Sequence, residues 1–151
     1  MLIERAWAMP NGRPYQIKPI ADLIKKEIGM RFLDVFPFGR QIEVLANLKT
    51  IADGNIDNAV IDPPYSPRQA KETYNLDLDA VEFTKYLSQV QDELSRVIKP
   101  GGIAISLGWN SNGLGKSRGF KLKQILLVAH GAHHNDTIVT VERKMNERLL
   151  A

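Results

Sequence analysis

The sequence predicts an α/β fold built on a mostly parallel sheet, and three observations lead there. Segments of helical periodicity alternate with short apolar strand candidates through the first two thirds of the chain. One of those candidates, "IDNAVID", is of the buried type expected under helices on both faces. The last third carries no helix pattern and reads as two strands around a turn. The expected architecture is a parallel sheet with helices on its faces and an antiparallel pair at one edge.

Each element has its own local reason. "PIADLIKKEI" opens with proline in a first-turn position and places Ile20, Leu23, Ile24 and Ile28 at helical spacing. "MRFLDVF" follows as a short strand stopped near Pro37. "QIEVLANLKTIADG" has helical periodicity and ends in glycine. "DLDAVEFTKYLSQVQDELSRVI" is the longest helix candidate, with Asp77 or Asp79 as its N-cap and "KPGG" ending it. "GIAISLGW" is a strand, followed by a Gly/Asn/Ser loop to Gly119. "KLKQILLVAH" and "DTIVTVERK" then form a terminal hairpin about "GAHHN". In such a sheet ligands gather beyond the carboxyl ends of the strands, where Asp34, Asp62 and Trp109 fall.

Composition narrows the class. The length of 151 residues suits one domain, with 44% hydrophobic and 25% charged residues as in a soluble globular protein. No apolar run approaches a membrane span, and "MLIERAWAMPNGRP" has no signal-peptide core. The chain has no cysteine, so disulfides and thiolate chemistry are excluded, and a cytoplasmic setting is expected. Net charge is +3, with cations gathered in "KSRGFKLK" and around Lys25, Lys26 and Arg31. Such clusters suit a phosphate backbone as well as a solvated face.

The stretch "NAVIDPPYSPRQ" carries the chemistry. An exocyclic amino group on a nucleobase is a weak nucleophile, because its lone pair is delocalised into the ring. Two acceptors on its two N–H bonds pull the nitrogen toward tetrahedral geometry and stabilise developing positive charge. The Asp62 carboxylate and the Pro63 carbonyl, stiffened by adjacent proline rings, form such a pair, and an aromatic ring two residues on suits a base removed from its stack. A rigid Pro-Pro turn with no ligand is the plain alternative.

"DPPY" at Asp62 to Tyr65, after a buried strand, resembles the catalytic motif of adenine-N6 DNA methyltransferases that use S-adenosylmethionine. "WAMPNGRPYQIKPI", "DPPYSPRQ", "KPGGIAISLGWNS" and "LLVAHGAHHNDTIVTVE" resemble successive blocks of a phage- and prokaryote-associated DNA methylase group, in consistent order over most of the chain. The resemblance implies a Rossmann-like class I methyltransferase sheet in one domain, with no separate target-recognition domain. It implies catalytic roles for Asp62, Pro63, Pro64 and Tyr65. For the cofactor, S-adenosylmethionine, it implies contacts from Lys18, Pro19, Asp34, Phe36 and Asp62. DNA contacts are expected from Ser66, Arg68, Gln69, Trp109, Lys116 and Arg118; for Arg68 a salt bridge bracing the loop is the alternative.

Two stretches depart from the family pattern. The glycine-bearing turn D-x-F-x-G-x-G is replaced by "DVFPFGR", with Phe38 and Arg40 at glycine positions. The segment between Asp34 and Asp62 leaves room for one helix, so the βαβ unit that carries the ribose acid reads as shortened, and the sheet as truncated. Glu43 is the nearest ribose candidate, with a helix-surface glutamate as the preferred reading. Target specificity then falls to loops at Pro67 to Leu78 and Trp109 to Gly119, or to a specificity or homo-oligomer partner.

Two other motifs compete. "NSNGLGKS" nearly fits a phosphate-binding G-x-x-x-x-G-K-[ST] loop, but Asn110 replaces the first glycine and a strand, not a helix, follows. "HGAHHND" brings His130, His133, His134 and Asp136 into one turn; an ordinary hairpin turn is preferred and no metal is expected. Trp7, Tyr15 and Phe83 read as core or pocket wall. The function expected is methyl transfer to adenine N6 in DNA. The alternatives are a catalytically degenerate subunit of the same fold that binds nucleic acid or a partner protein, and an RNA or cytosine-N4 amino-methyltransferase.

Overall fold

The computed structural model describes residues 1–37, 43–132 and 134–146. Strands β1 (Leu2–Trp7), β2 (Leu33–Asp34), β3 (Ile56–Ile61), β4 (Ile98–Gly108), β5 (Phe120–Ala129) and β6 (Thr137–Lys144) form one sheet. Its order is β1-β5-β6-β4-β3-β2. Helices α1 (Lys18–Ile28), α2 (Val44–Lys49), α3 (Pro67–Tyr74) and α4 (Ala80–Val97) join them. The β1/β5, β2/β3 and β3/β4 pairs are parallel, whereas β6 runs antiparallel to both β4 and β5.

Period-2 alternation assigns the strand side chains to two faces. Ala59, Ile61 and Ala104 join Val90, Leu94 and Val97 of α4 and Val44 and Leu48 of α2 in one core. Val60, Ile103, Ile105 and Leu107 join Ile20, Leu23, Ile24 and Ile28 of α1 in the other. Those four α1 residues are the apolar stripe read from sequence. Asp79 caps α4, accepting from the Glu82 amide while the Glu82 side chain accepts from the Asp79 amide. At the other end of α4, Lys144 Nζ donates to the carbonyls of Ser95 and Ile98.

The structure corrects several expectations. The antiparallel hairpin is not at an edge: β6 sits inside the sheet, and the unanticipated strand β1 closes that side. β1 escaped the sequence reading because "LIERAW" is exposed along most of its length and has no buried alternation. Strand β2 is two residues long, shorter than "MRFLDVF" suggested. Helix α2 ends at Lys49 with Thr50 as its C-cap, well before Gly54. Strand β4 begins directly after α4, through "KPGG", with Gly102 set against the Asp57 carbonyl where a Cβ has no room. The expected loop from Pro67 contains α3, capped by Ser66. No helix among the described residues is long and apolar enough to cross a membrane.

Candidate functional site

Strand β3 delivers Asp62 to the carboxyl end of the sheet, and the two prolines turn the chain outward. The turn is held by its own side chains. Gln69 Oε1 accepts from the Tyr65 amide at 2.7 Å, and Ser66 Oγ accepts from the Gln69 amide at 3.2 Å. Ser66 therefore starts α3 and Gln69 braces the loop from the first turn of that helix. The Tyr65 hydroxyl reaches back 2.8 Å to donate to Asp62 Oδ1. Pro64 is buried beneath this arrangement.

Asp62 is pushed up from the ordinary carboxylate range to about 6, mainly by burial, against which the Tyr65 hydrogen bond acts; Asp34 adds like-charge repulsion. Burial and the negative neighbours also raise the phenols of Tyr65 and Tyr15, which stay protonated donors. Tyr15 spends its proton on Asp34 Oδ1 at 2.9 Å. Tyr74, pushed up to about 12, donates to the Phe36 carbonyl at 3.3 Å.

Two cavities meet at this turn. One, of about 390 Å³, is lined by Asp62, Pro63, Tyr65, the segment from Pro10 to Ile17, and His130 with Thr137. The other, of about 200 Å³, lies over Ser106, Leu107 and Leu114. Pro63, Pro64, Tyr65 and Trp109 form the wall common to both. The Tyr65 and Trp109 rings are 5.0 Å apart and tilted by 59°. Trp109 is 49% exposed, so its ring is available to a flat ligand.

The structure brings Asp62, Pro63, Pro64, Tyr65, Gln69 and Trp109 together at the larger cavity. It does not bring the remaining expected residues there. Lys18 pairs with Asp22 at 2.7 Å on the outside of α1, and Pro19 only opens that helix. Asp34 lies on the wall of a separate cavity of about 140 Å³ near α2. Phe36 is core, edge-on to Tyr74 at 5.7 Å. Arg68 pairs with Glu72 one turn further along α3 at 2.9 Å, an exposed pair within the helix and not a brace across the loop. The Arg118 guanidinium turns inward to Asp92 at 2.9 Å and to Ser88 Oγ at 3.0 Å; Lys116 stays exposed. Glu43 caps α2 by accepting from the Leu45 amide. Trp7 is 64% exposed rather than core. Phe38, Arg40 and His133 lie outside the described residues.

The near-fit phosphate loop has another use. The amides of Leu114 and Gly115 donate to Glu142 at 2.7 and 2.9 Å, so a protein carboxylate holds the N–H groups a phosphate would need. No group of three or more metal-binding side chains comes together among the described residues. Thr137 is cavity wall that the sequence does not single out, His130 reads there only as part of an ordinary hairpin turn, and Thr73 and Tyr74 fall in the Pro67 to Leu78 stretch expected to serve target choice. The available signal was the hairpin itself, which sets His130 and Thr137 on either side of the turn.

No protein-family model and no curated protein matches the chain. Solved structures do. A candidate DNA modification methylase of Thermus thermophilus overlays with a TM-score of 0.50 at 15% identity, over 78% of this chain and 55% of that one. The same protein complexed with S-adenosyl-L-methionine overlays with a TM-score of 0.49 at 15% identity, over 78% and 54% of the two chains. A SAM-dependent methyltransferase of Methanosarcina mazei gives 0.44 at 15% identity, over 65% and 63%. At such identities the likeness is one of fold. The chain has a Rossmann-like methyltransferase fold, and it spans about half the length of the Thermus protein, 55%.

Proposed function

We propose that the chain transfers a methyl group from S-adenosylmethionine to an exocyclic amino group of a nucleobase, adenine N6 in DNA. One observation carries the proposal. A part-buried carboxylate, held through one oxygen by Tyr65, lines a cavity together with Pro63 and an aromatic wall. The acceptors suit an amine: Tyr65 donates to Asp62 Oδ1, which leaves Oδ2 for one amino N–H and the Pro63 carbonyl for the other. S-adenosylmethionine supplies the electrophilic methyl when bound. As the amine nitrogen gains positive charge, the ionised Asp62 lowers its energy without reorganising, because the loop is already in place. One amino proton then leaves through Asp62 toward solvent. The Pro10 to Ile17 segment, on the wall beside Asp62, is the place for the methyl donor. Trp109 and Tyr65 take the base. A cytoplasmic setting and a DNA partner go with this substrate. Target choice draws on α3, the Trp109 to Gly119 loop, or a second subunit.

A second reading, a non-catalytic nucleic-acid-binding subunit of the same fold, is favoured by the cofactor side. β2 is a two-residue terminal strand, and α2 is the described helix between it and β3. Calorimetric titration of S-adenosylmethionine, with and without duplex DNA, separates the two. Heat of cofactor binding and transfer of labelled methyl to DNA, lost at least ~100-fold in Asp62→Ala, are the expected results. DNA binding with no cofactor heat under either condition establishes the subunit reading instead.

A further inference from the structure

We infer that Thr137 is a specificity-determining residue of the larger cavity, presenting oxygen lone pairs to an N–H donor on the bound ligand, an amino or ammonium group. The inference rests on the methyltransferase reading of that cavity and assigns it a further recognition point. His130 directly follows β5 and is 7% exposed. Its Nδ1 stands 2.9 Å from the Ala8 carbonyl, and its Nε2 stands 2.8 Å from Thr137 Oγ1. A carbonyl only accepts, so Nδ1 carries the proton. In the neutral ring Nε2 is then the acceptor, and the Thr137 hydroxyl donates to it. That hydroxyl has one proton. Once the proton is committed, the oxygen offers the cavity lone pairs alone.

The chain itself fixes this orientation. The Ala8 amide donates to the Ala129 carbonyl at 3.0 Å, continuing the β1/β5 ladder past Trp7. Thr137 is the first residue of β6, paired with Val128. A ligand carbonyl or unprotonated ring nitrogen placed against Thr137 meets lone pair with lone pair, and both acceptors lose their water. An amino or ammonium group meets an acceptor already aimed. One group in the proposed reaction has this chemistry still unspent, the α-ammonium of the methyl donor's amino-acid end; both N–H bonds of the base amino group are taken by Asp62 and the Pro63 carbonyl.

Calorimetry on the wild type, Thr137→Val and Thr137→Ser tests the assignment in two arms. One compares 2′-deoxyadenosine with 2′-deoxyinosine, which carries oxygen in place of the amino group. The other compares S-adenosylhomocysteine with its analogue lacking the α-amino group. The wild type should prefer S-adenosylhomocysteine over its analogue by ~10-fold or more, while the base arm reads the Asp62 grip and should not respond to Thr137. Thr137→Ser should keep that preference, and Thr137→Val should reduce it to within about 3-fold. A Thr137→Val effect confined to the base arm overturns the assignment to the ammonium. If Thr137→Val does not fold, Thr137→Ala removes the same hydroxyl and reads the same ratio. A preference retained without the hydroxyl, or no wild-type preference in the methyl-donor arm, overturns the assignment; the reading based on Asp62 stands as long as the wild type prefers 2′-deoxyadenosine over 2′-deoxyinosine. A wild type that binds none of the four compounds overturns both.

Discussion

The charge on Asp62 is disfavoured by burial and by Asp34 nearby, and the Tyr65 hydroxyl recovers part of the loss. An acid held at about 6 in the folded chain, against an ordinary 3.8, binds its proton more tightly folded than unfolded. Stability therefore falls as pH rises from about 4 to about 6, and stays lowered above that range. Asp62→Asn keeps the shape and an acceptor for Tyr65 but cannot ionise. It is expected to stabilise the protein at pH 8 by on the order of 2–3 kcal/mol, at 1.36 kcal/mol per pKa unit, with the gain gone at pH 4. Urea unfolding at the two pH values measures this; equal stability of variant and wild type at pH 8 contradicts a raised Asp62. The same group gives the proposed reaction its pH dependence. Because the ionised form accepts the amino N–H, the single-turnover methyl-transfer rate should climb through about pH 6 and level off by about pH 8. A rate that falls over that interval excludes the carboxylate as the working form.

Between strands, the loop after β4 shows how one element steadies another. Glu142 of β6, 2% exposed, accepts from the Leu114 and Gly115 amides and so holds the segment that begins at Trp109. Gly113 has a positive φ of 55°, and a Cβ there would collide with the Glu142 carboxylate. Gly113→Ala is thus expected to displace the carboxylate, leave a buried charge poorly paired, and cost ~2 kcal/mol or more. Trp109 fluorescence, read in a Trp7→Phe background, should become more quenchable by iodide; an unchanged spectrum and stability would refute the clamp. This clamp was not legible beforehand, because nothing local joins residues 29 positions apart such as Gly113 and Glu142. Contiguous patterns fared better. The α1 stripe, the Asp79 cap and the Asp62 to Tyr65 turn each rest on neighbours within one or two helical turns. Of the two missed elements, β1 lacks burial alternation, whereas α3 carries a local signal in its Ser66 cap, Pro67 and Gln69 that the proline pair before it obscures.

Across the whole sheet, the two halves of the site stand on unequal supports. Asp62, Trp109 and Thr137 sit at the ends of β3, β4 and β6, strands that each pair on both sides. The segment proposed for the methyl donor is tied through Tyr15 to Asp34 of β2, which contributes two residues at the sheet's terminus. Opening of an edge strand exposes few backbone bonds, whereas opening β4 or β6 breaks two ladders and both cores. Native-state hydrogen exchange should therefore rank the amides. Ile105 and Val141, in the β4/β6 ladder, should exchange at least about 100-fold more slowly than Val35, whose amide donates to the Val60 carbonyl beside that short strand. A gap of that size corresponds to ~3 kcal/mol of extra opening free energy. If S-adenosylmethionine binds as proposed, the protection it adds should be largest at the Gln16 and Ile17 amides, in the segment beside Asp62, and small at Ile105. Uniform protection across the sheet would mean that the ligand stabilises the fold globally and that β2 is no weak point. Protection confined to the Trp109 loop would move the methyl donor to the smaller cavity, on the far side of the Pro63 to Tyr65 wall.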